Sequence, residues 1–197
     1  MTQAEKDHWI SVGYFFHSFW YMELIDRFGD IPWVDKVLTE SSPEVYEGRR
    51  PRKEVADLVL QRLQWAEEHI GDFTSQDGEN TINQDCVLAA ISRFTLREGT
   101  WRKYHELGDA DTYLNECIRA SKILMDRYPT LYQGTDGQPG AGYGEMWTTD
   151  DLSTVPGIIL YKSYVKDINP VQGGCYLEHT SSPVSYTHLT LPTILRV

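Results

Sequence analysis

Apolar residues recur at intervals of three and four along most of the first 127 residues, and this spacing predicts a stack of α-helices. The clearest stripe follows Pro51 and consists of Val55, Val59, Leu63, Ala66 and Ile70. Such spacing is typical of the buried face of an amphipathic helix. Pro51 suits a first helical turn, where its missing N–H has no partner to lose, and Gly71 is expected to end the helix.

Three further segments have the same period. One helix is predicted from Ala4 to Phe28, a third from about Asn83 to Glu106, and a fourth from Asp109 to Arg127. Gly99 lies inside the third helix, which indicates either a close approach of another helix or a kink. The first helix is unusually aromatic, and we expect its stripe to face the core; the stripe comprises Trp9, Val12, Phe16, Phe19, Trp20, Leu24 and Phe28.

The chain changes character after residue 130. Residues 133–144 contain five glycines, which predicts a loop. Ile158–Tyr161 is a short apolar run after Pro156-Gly157 and is interpreted as a strand, and no element is predicted from Asp167 onward. Small residues at the predicted helix contacts favour a mainly all-α fold, a tetratricopeptide-like helical repeat or α-solenoid of about four helices, with an irregular C-terminal region and one short strand.

The charge balance excludes two classes of partner. With 18 basic and 29 acidic residues the net charge is −11, which disfavours binding to nucleic acid and to anionic membrane surfaces. Neutral ligands remain compatible. No stretch is typical of a signal peptide, a lipid-attachment site or a membrane span.

No catalytic or metal-binding pattern stands out, so no cofactor is predicted. The adjacent pairs Glu67-Glu68 and Asp150-Asp151 do not have the spacing of a glycosidase acid and base, which lie across a cleft from each other. His17, His69 and His105 lie on separate predicted helices, and the three cysteines have no zinc-like spacing. Cys86 and Cys117 fall in apolar helical patterns and are expected to be free thiols.

Four blocks of sequence, in this order, resemble the SusD/RagB family. They are the aromatic helix Phe15–Phe28 ending in Gly29-Asp30-Ile31-Pro32, the helix start Pro51-Arg52-Lys53-Glu54-Val55, the helix Ala89–His105 with Glu98-Gly99-Thr100-Trp101-Arg102, and the segment Met146–Leu152 followed by Gly157–Tyr161. Gly157 stands where the family usually has an acidic residue. The resemblance covers roughly residues 5–165.

The resemblance implies a non-catalytic protein that binds glycans or oligosaccharides and delivers them to a SusC-like TonB-dependent transporter. It implies a lipoprotein exposed on the outer membrane, held by an N-terminal lipid anchor that this sequence does not contain. Members of that family are longer, so residues 1–166 are expected to be a fragment of the helical domain. Residues 167–183 are interpreted as an irregular remainder, and residues 184–197 resemble a translated sequencing adapter.

Sugar rings stack on exposed aromatic faces that have hydrogen-bonding groups beside them. Aromatic residues in predicted loops are therefore the candidate ligand contacts, and these are Tyr143, Trp147 and Tyr176. Trp65 and Trp101 lie in predicted helices and are expected to pack. Two other functions stay open from the sequence: a cytoplasmic tetratricopeptide-like scaffold that binds peptides, and a helical carbohydrate-active enzyme.

Overall fold

A computed structural model describes residues 1–72, 80–135, 140–149 and 152–161 of the 197-residue chain. The described residues form five α-helices: α1 (Gln3–Phe28), α2 (Arg52–His69), α3 (Gln84–Tyr104), α4 (Ala110–Arg127) and α5 (Ala141–Thr148). Two short 3₁₀ turns, Pro43–Tyr46 and Leu152–Thr154, lie in the connections. The prediction of a mainly all-α fold is confirmed, and each of the four predicted helices is present within two residues of its expected bounds.

Successive helices run antiparallel and pack side by side. Arg52 at the start of α2 donates a hydrogen bond to the Ile25 carbonyl near the end of α1, at 3.1 Å. The other end of α2 meets the start of α3, where Gln84 donates to the Glu67 carbonyl at 3.1 Å. Helices α3 and α4 pair in the same way, as in a tetratricopeptide-like repeat.

The core lies between α1, α2 and α3 and is completed by residues of α4. The α2 stripe is confirmed: Val55, Val59, Leu63 and Ala66 are fully buried, and Ile70 is half-buried at the end. Gly99 allows α3 and α4 to approach closely, because an added Cβ would lie 2.8 Å from Leu114 Cδ2. The close approach expected at Gly99 is therefore present.

The aromatic stripe of α1 points outward, contrary to the expectation that it faces the core. Trp9, Phe16 and Trp20 are 54%, 48% and 65% exposed. Phe19, Leu24 and Phe28 are exposed as well. Helix α1 is apolar on nearly every side, so its period alone does not identify the inner face.

The inner face of α1 combines small polar residues with a few large ones. Ser11 and Ser18 are fully buried and leave room for the neighbouring helices, while Phe15, Met22 and Ile25 fill the core. The side chains of this face are His8, Ser11, Phe15, Ser18, Tyr21, Met22 and Ile25.

A buried ionic network joins α2, α3 and α4. Glu98 and Arg102, one turn apart on α3, are each 1% exposed and form an ion pair of 2.9 Å. Arg52 of α2 donates to the other oxygen of Glu98 at 2.7 Å. Arg102 also donates to Asp109, just before α4, and to the hydroxyl of Tyr113. Burial, followed by the hydrogen bond to Asp57, raises the pKa of Tyr113. The Nε of Arg102 thus bonds within α3, while its two terminal nitrogens bond to groups outside α3.

Two predictions about the second half of the chain are wrong. Residues 158–161 do not form a strand, and the described residues contain only an isolated bridge between Ile31 and Arg50. The glycine-rich segment is not all loop, because α5 begins at Ala141. The predicted irregular segment from Asp167 and the tail from residue 184 lie outside the described residues.

Among the described residues, no helix combines the length and the apolar character needed to cross a membrane.

Candidate functional site

Two of the predicted ligand-contact residues form one exposed aromatic surface on α5. Tyr143 and Trp147 are one helical turn apart, and they are 70% and 68% exposed. Their ring centroids are 6.1 Å apart, with an angle of 66° between the ring planes. Because residues four apart share a helix face, both rings are open to one ligand. We call Tyr143 and Trp147 the aromatic pair.

Close backbone packing fixes α5 against the preceding segment. Gly142 is buried against Tyr132, Gln133 and Gly134, and an added Cβ would lie 2.6 Å from the Gly134 nitrogen. It would also overlap the Tyr132 carbonyl oxygen. Only glycine fits this contact, which explains the glycine at position 142 within a helix.

The side chain of Glu145 also bonds to the segment that precedes α5. Both of its carboxylate oxygens accept the Thr135 backbone N–H at 2.9 Å, and the Tyr132 hydroxyl donates to it at 2.9 Å. This hydrogen bond to Glu145 raises the pKa of Tyr132. Glu145 lies between Tyr143 and Trp147 in sequence, so these hydrogen bonds also restrain the aromatic pair. The site is therefore a short helix with its aromatic side chains outside and its glycine and carboxylate contacts inside.

The sequence identified Tyr143 and Trp147 but not the helix that carries them. Glycines at 140, 142 and 144 favour a loop on propensity, since each helical glycine costs about 1 kcal/mol against alanine. Gly140 precedes α5 with a φ of +83°, which is a turn conformation. The four-residue spacing of the two aromatics was the available signal for a shared helix face. The third predicted contact, Tyr176, lies outside the described residues.

Trp65 and Trp101 have structural contacts instead. The Trp65 ring stacks on His69 at 4.1 Å and meets Tyr14 of α1 edge-on at 5.2 Å. The Arg52 guanidinium lies 4.1 Å from the centroid of Trp101, a cation–π contact beside the buried ionic network. Both side chains pack between helices, as expected from their positions.

The titratable side chains within residues 1–161 that the structure describes form no group that could hold a metal ion. His17 on α1 bonds to the Val34 carbonyl at 2.8 Å and stacks on Tyr21. His105 packs on Trp101 at 4.2 Å. Glu67 pairs with Arg119 of α4 at 2.5 Å. Cys86 is buried and Cys117 half-buried, both as free thiols, and burial raises the pKa of Cys86.

Comparison with known proteins gives one similarity. Over 167 residues, which is 84% of this chain, the sequence is 25% identical to SusD-like protein P2 of Formosa agariphila. The matched region is 32% of that protein, so the chain spans about a third of the length of this curated relative. No protein-family model and no solved structure matches the chain. The helical fold and the similarity to a SusD-like protein agree with the resemblance carried by the four sequence blocks.

Proposed function

We propose that this chain is part of a non-catalytic protein that captures oligosaccharides through the aromatic pair. The observation that carries the proposal is the exposure of Tyr143 and Trp147 on a helix held by Gly142 and Glu145. Exposed rings on a fixed support lose little conformational entropy when they stack on a sugar. The net charge of −11 is compatible with a neutral ligand.

The similarity to a SusD-like protein supports a proposal about where in the cell the protein acts and with which partner. We propose that the whole protein is a lipoprotein at the outer-membrane surface. There it would pass its glycan to a SusC-like TonB-dependent transporter. In this arrangement the aromatic pair retains the oligosaccharide, and no side chain has to cleave it.

The test is calorimetric titration of the chain with a panel of neutral oligosaccharides, followed by chromatography of the mixtures. We expect at least one oligosaccharide to bind and to be recovered intact. Replacing Trp147 by alanine should weaken that binding about tenfold, or about 1.4 kcal/mol, because aromatic anchors at the centre of a binding surface carry a large share of the affinity. Tyr143→Ala should have an effect of the same order.

Tyr104→Ala is the matched control. Tyr104 is 88% exposed at the end of α3, so its removal changes exposed aromatic surface without touching α5. Its affinity for the oligosaccharide should equal that of the unmodified chain. Equal affinities for all three variants, or shortened oligosaccharides after incubation, would refute the proposal. Binding of extended peptides in place of sugars would favour the tetratricopeptide-like scaffold.

A further inference from the structure

Residues 157–161 lie beside α1 and α3 and border two cavities. The first cavity, of about 880 Å³, lies between α1 and α3, and residues 157–160 form part of its wall. The second cavity, of about 630 Å³, is lined by α1, by residues 80–82 and by residues 160–161. Leu160 lines both cavities. We call residues 157–161 the strap.

The strap begins at a glycine turn and has few contacts along its length. Gly157 has a φ of +85°, a conformation that glycine adopts without strain. Ile159 is half-buried against the core, whereas Leu160 is 42% exposed. No backbone hydrogen bond joins Ile158, Ile159 or Leu160 to another of the described residues. The position of the strap therefore depends strongly on how its far end is held.

The far end of the strap is held by the side-chain amide of Asn80. Nδ2 of Asn80 donates to the Tyr161 carbonyl at 2.8 Å, and Oδ1 of Asn80 accepts the Tyr161 N–H at 3.0 Å. One side chain thus bonds to both main-chain groups of a residue, as a neighbouring strand does in an antiparallel pair. Because hydrogen bonds are directional, this pair fixes the end of the strap in one position.

Cys86 of α3 lies where an opening of the strap can be detected. It lines the first cavity together with the strap, and it is 4% exposed. A buried thiol reacts with a reagent in solution only when the structure around it opens. The reactivity of Cys86 therefore measures how often the wall of this cavity opens.

We propose that the strap opens and closes while the helices stay folded, with Gly157 as its hinge and Asn80 as its latch. In the closed state the strap covers part of the apolar wall between α1 and α3. In the open state that wall and Cys86 meet solvent. Opening costs little beside global unfolding, because it breaks two hydrogen bonds and separates a few half-buried side chains. This inference does not depend on glycan binding, since the aromatic pair takes no part in it.

Reaction of Cys86 with the thiol reagent DTNB tests the proposal. The chain carries Cys117→Ser and Cys175→Ser, so that Cys86 is its one thiol. We expect slow labelling at a rate that is the same in water and in about 1 M urea, since a local opening exposes little surface. Asn80→Ala should raise this rate about tenfold, because both hydrogen bonds to Tyr161 are lost.

Two further variants test whether the latch is specific. The carboxylate of Asn80→Asp can accept the Tyr161 N–H but cannot donate to the Tyr161 carbonyl, so its labelling rate should lie between those of the unmodified chain and Asn80→Ala. Asn115→Ala is the matched control, because Asn115 is exposed on α4. It should leave the labelling rate unchanged. All three variants should keep the helical circular dichroism signal.

Three results would overturn the proposal. Equal labelling rates for the unmodified chain, Asn80→Ala and Asn80→Asp would show that Asn80 is not a latch. Labelling as fast as that of a free cysteine would show that the strap does not close over Cys86. A rate that rises steeply with urea from the lowest concentrations would show that Cys86 is reached only by global unfolding.

Discussion

Glu98 is the residue on which the junction of α2, α3 and α4 depends most. Its two oxygens accept hydrogen bonds from Arg102 and Arg52, and it is 1% exposed. Replacing Glu98 by glutamine leaves two buried guanidinium groups beside a neutral amide. We expect the free energy of unfolding in chemical denaturation to fall by about 3–5 kcal/mol. The reason is that the remaining buried charges have lost the partner that compensated for their removal from water.

Glu23→Gln is the control for this measurement. Glu23 pairs with Arg27 at 3.8 Å on the surface of α1, where solvent screens the charges. Its loss should cost less than about 1 kcal/mol. Similar stabilities for Glu98→Gln and Glu23→Gln would contradict the role given to the buried ionic network.

Because of His17, we expect the free energy of unfolding to change with pH in the mildly acidic range. Burial is the main cause that lowers the pKa of His17. The hydrogen bond to the Val34 carbonyl raises this pKa in part, and the nearby charge of Arg62 lowers it further. The unfolded chain therefore binds a proton near the ordinary histidine pKa of about 6.5, while the folded chain binds it only at a lower pH. Stability is unaffected by His17 above that value and falls as the pH drops from about 7 to about 5.

His17→Gln checks this sign, because an amide nitrogen can still donate to the Val34 carbonyl but does not titrate. Free energies of unfolding should be measured by urea denaturation at pH 7 and at pH 5. The unmodified chain should lose more stability between these two values than His17→Gln does. An equal loss in both proteins would show that His17 is not responsible.

Helix α5 is the element whose placement decides the candidate site. Gly142→Ala inserts a methyl group against the backbone of Tyr132 and Gly134, so α5 has to separate from that segment. We expect oligosaccharide affinity to fall at least about tenfold, while α1 to α4 keep their thermal transition. The aromatic pair would remain present but lose its fixed orientation.

Gly144→Ala is the control on the same helix. An added Cβ at Gly144 meets no atom within 4 Å, and alanine favours a helix over glycine by about 1 kcal/mol. Calorimetric titration should therefore give unchanged or stronger binding for Gly144→Ala. Equal binding by the two alanine variants would mean that α5 need not be held against its preceding segment.

At the scale of the helices, the sequence predicts where each of the four long helices lies, but it predicts the buried face correctly for α2 and wrongly for α1. The α2 stripe has polar residues on its other sides, so period alone identifies the buried face. Helix α1 has large apolar residues on both its inner and outer sides, and only the tertiary packing shows that Ser11 and Ser18 face inward. Helix α5 was not predicted because its glycines favour a loop on propensity. The glycine at 142 is needed for a contact with residues about ten positions earlier, which the local sequence pattern does not reveal.

For the molecule as a whole, the antiparallel helices form a support with two separate aromatic surfaces. One is the aromatic pair on α5, and the other is the outward side of α1, with Trp9, Phe16 and Trp20. The sequence located both sets of residues, but it assigned the α1 set to the core. The similarity to a SusD-like protein covers 84% of this chain and 32% of that relative.

The most direct measurement uses ¹⁹F NMR of the chain labelled with fluorotryptophan, during titration with the oligosaccharide that binds. The six tryptophans give six signals, and Trp147→Phe identifies one of them. The proposed function predicts that the Trp147 signal shifts in a saturable way while those of Trp9 and Trp20 stay in place. A bound oligosaccharide that leaves the Trp147 signal unmoved, or that shifts the α1 signals instead, would contradict it.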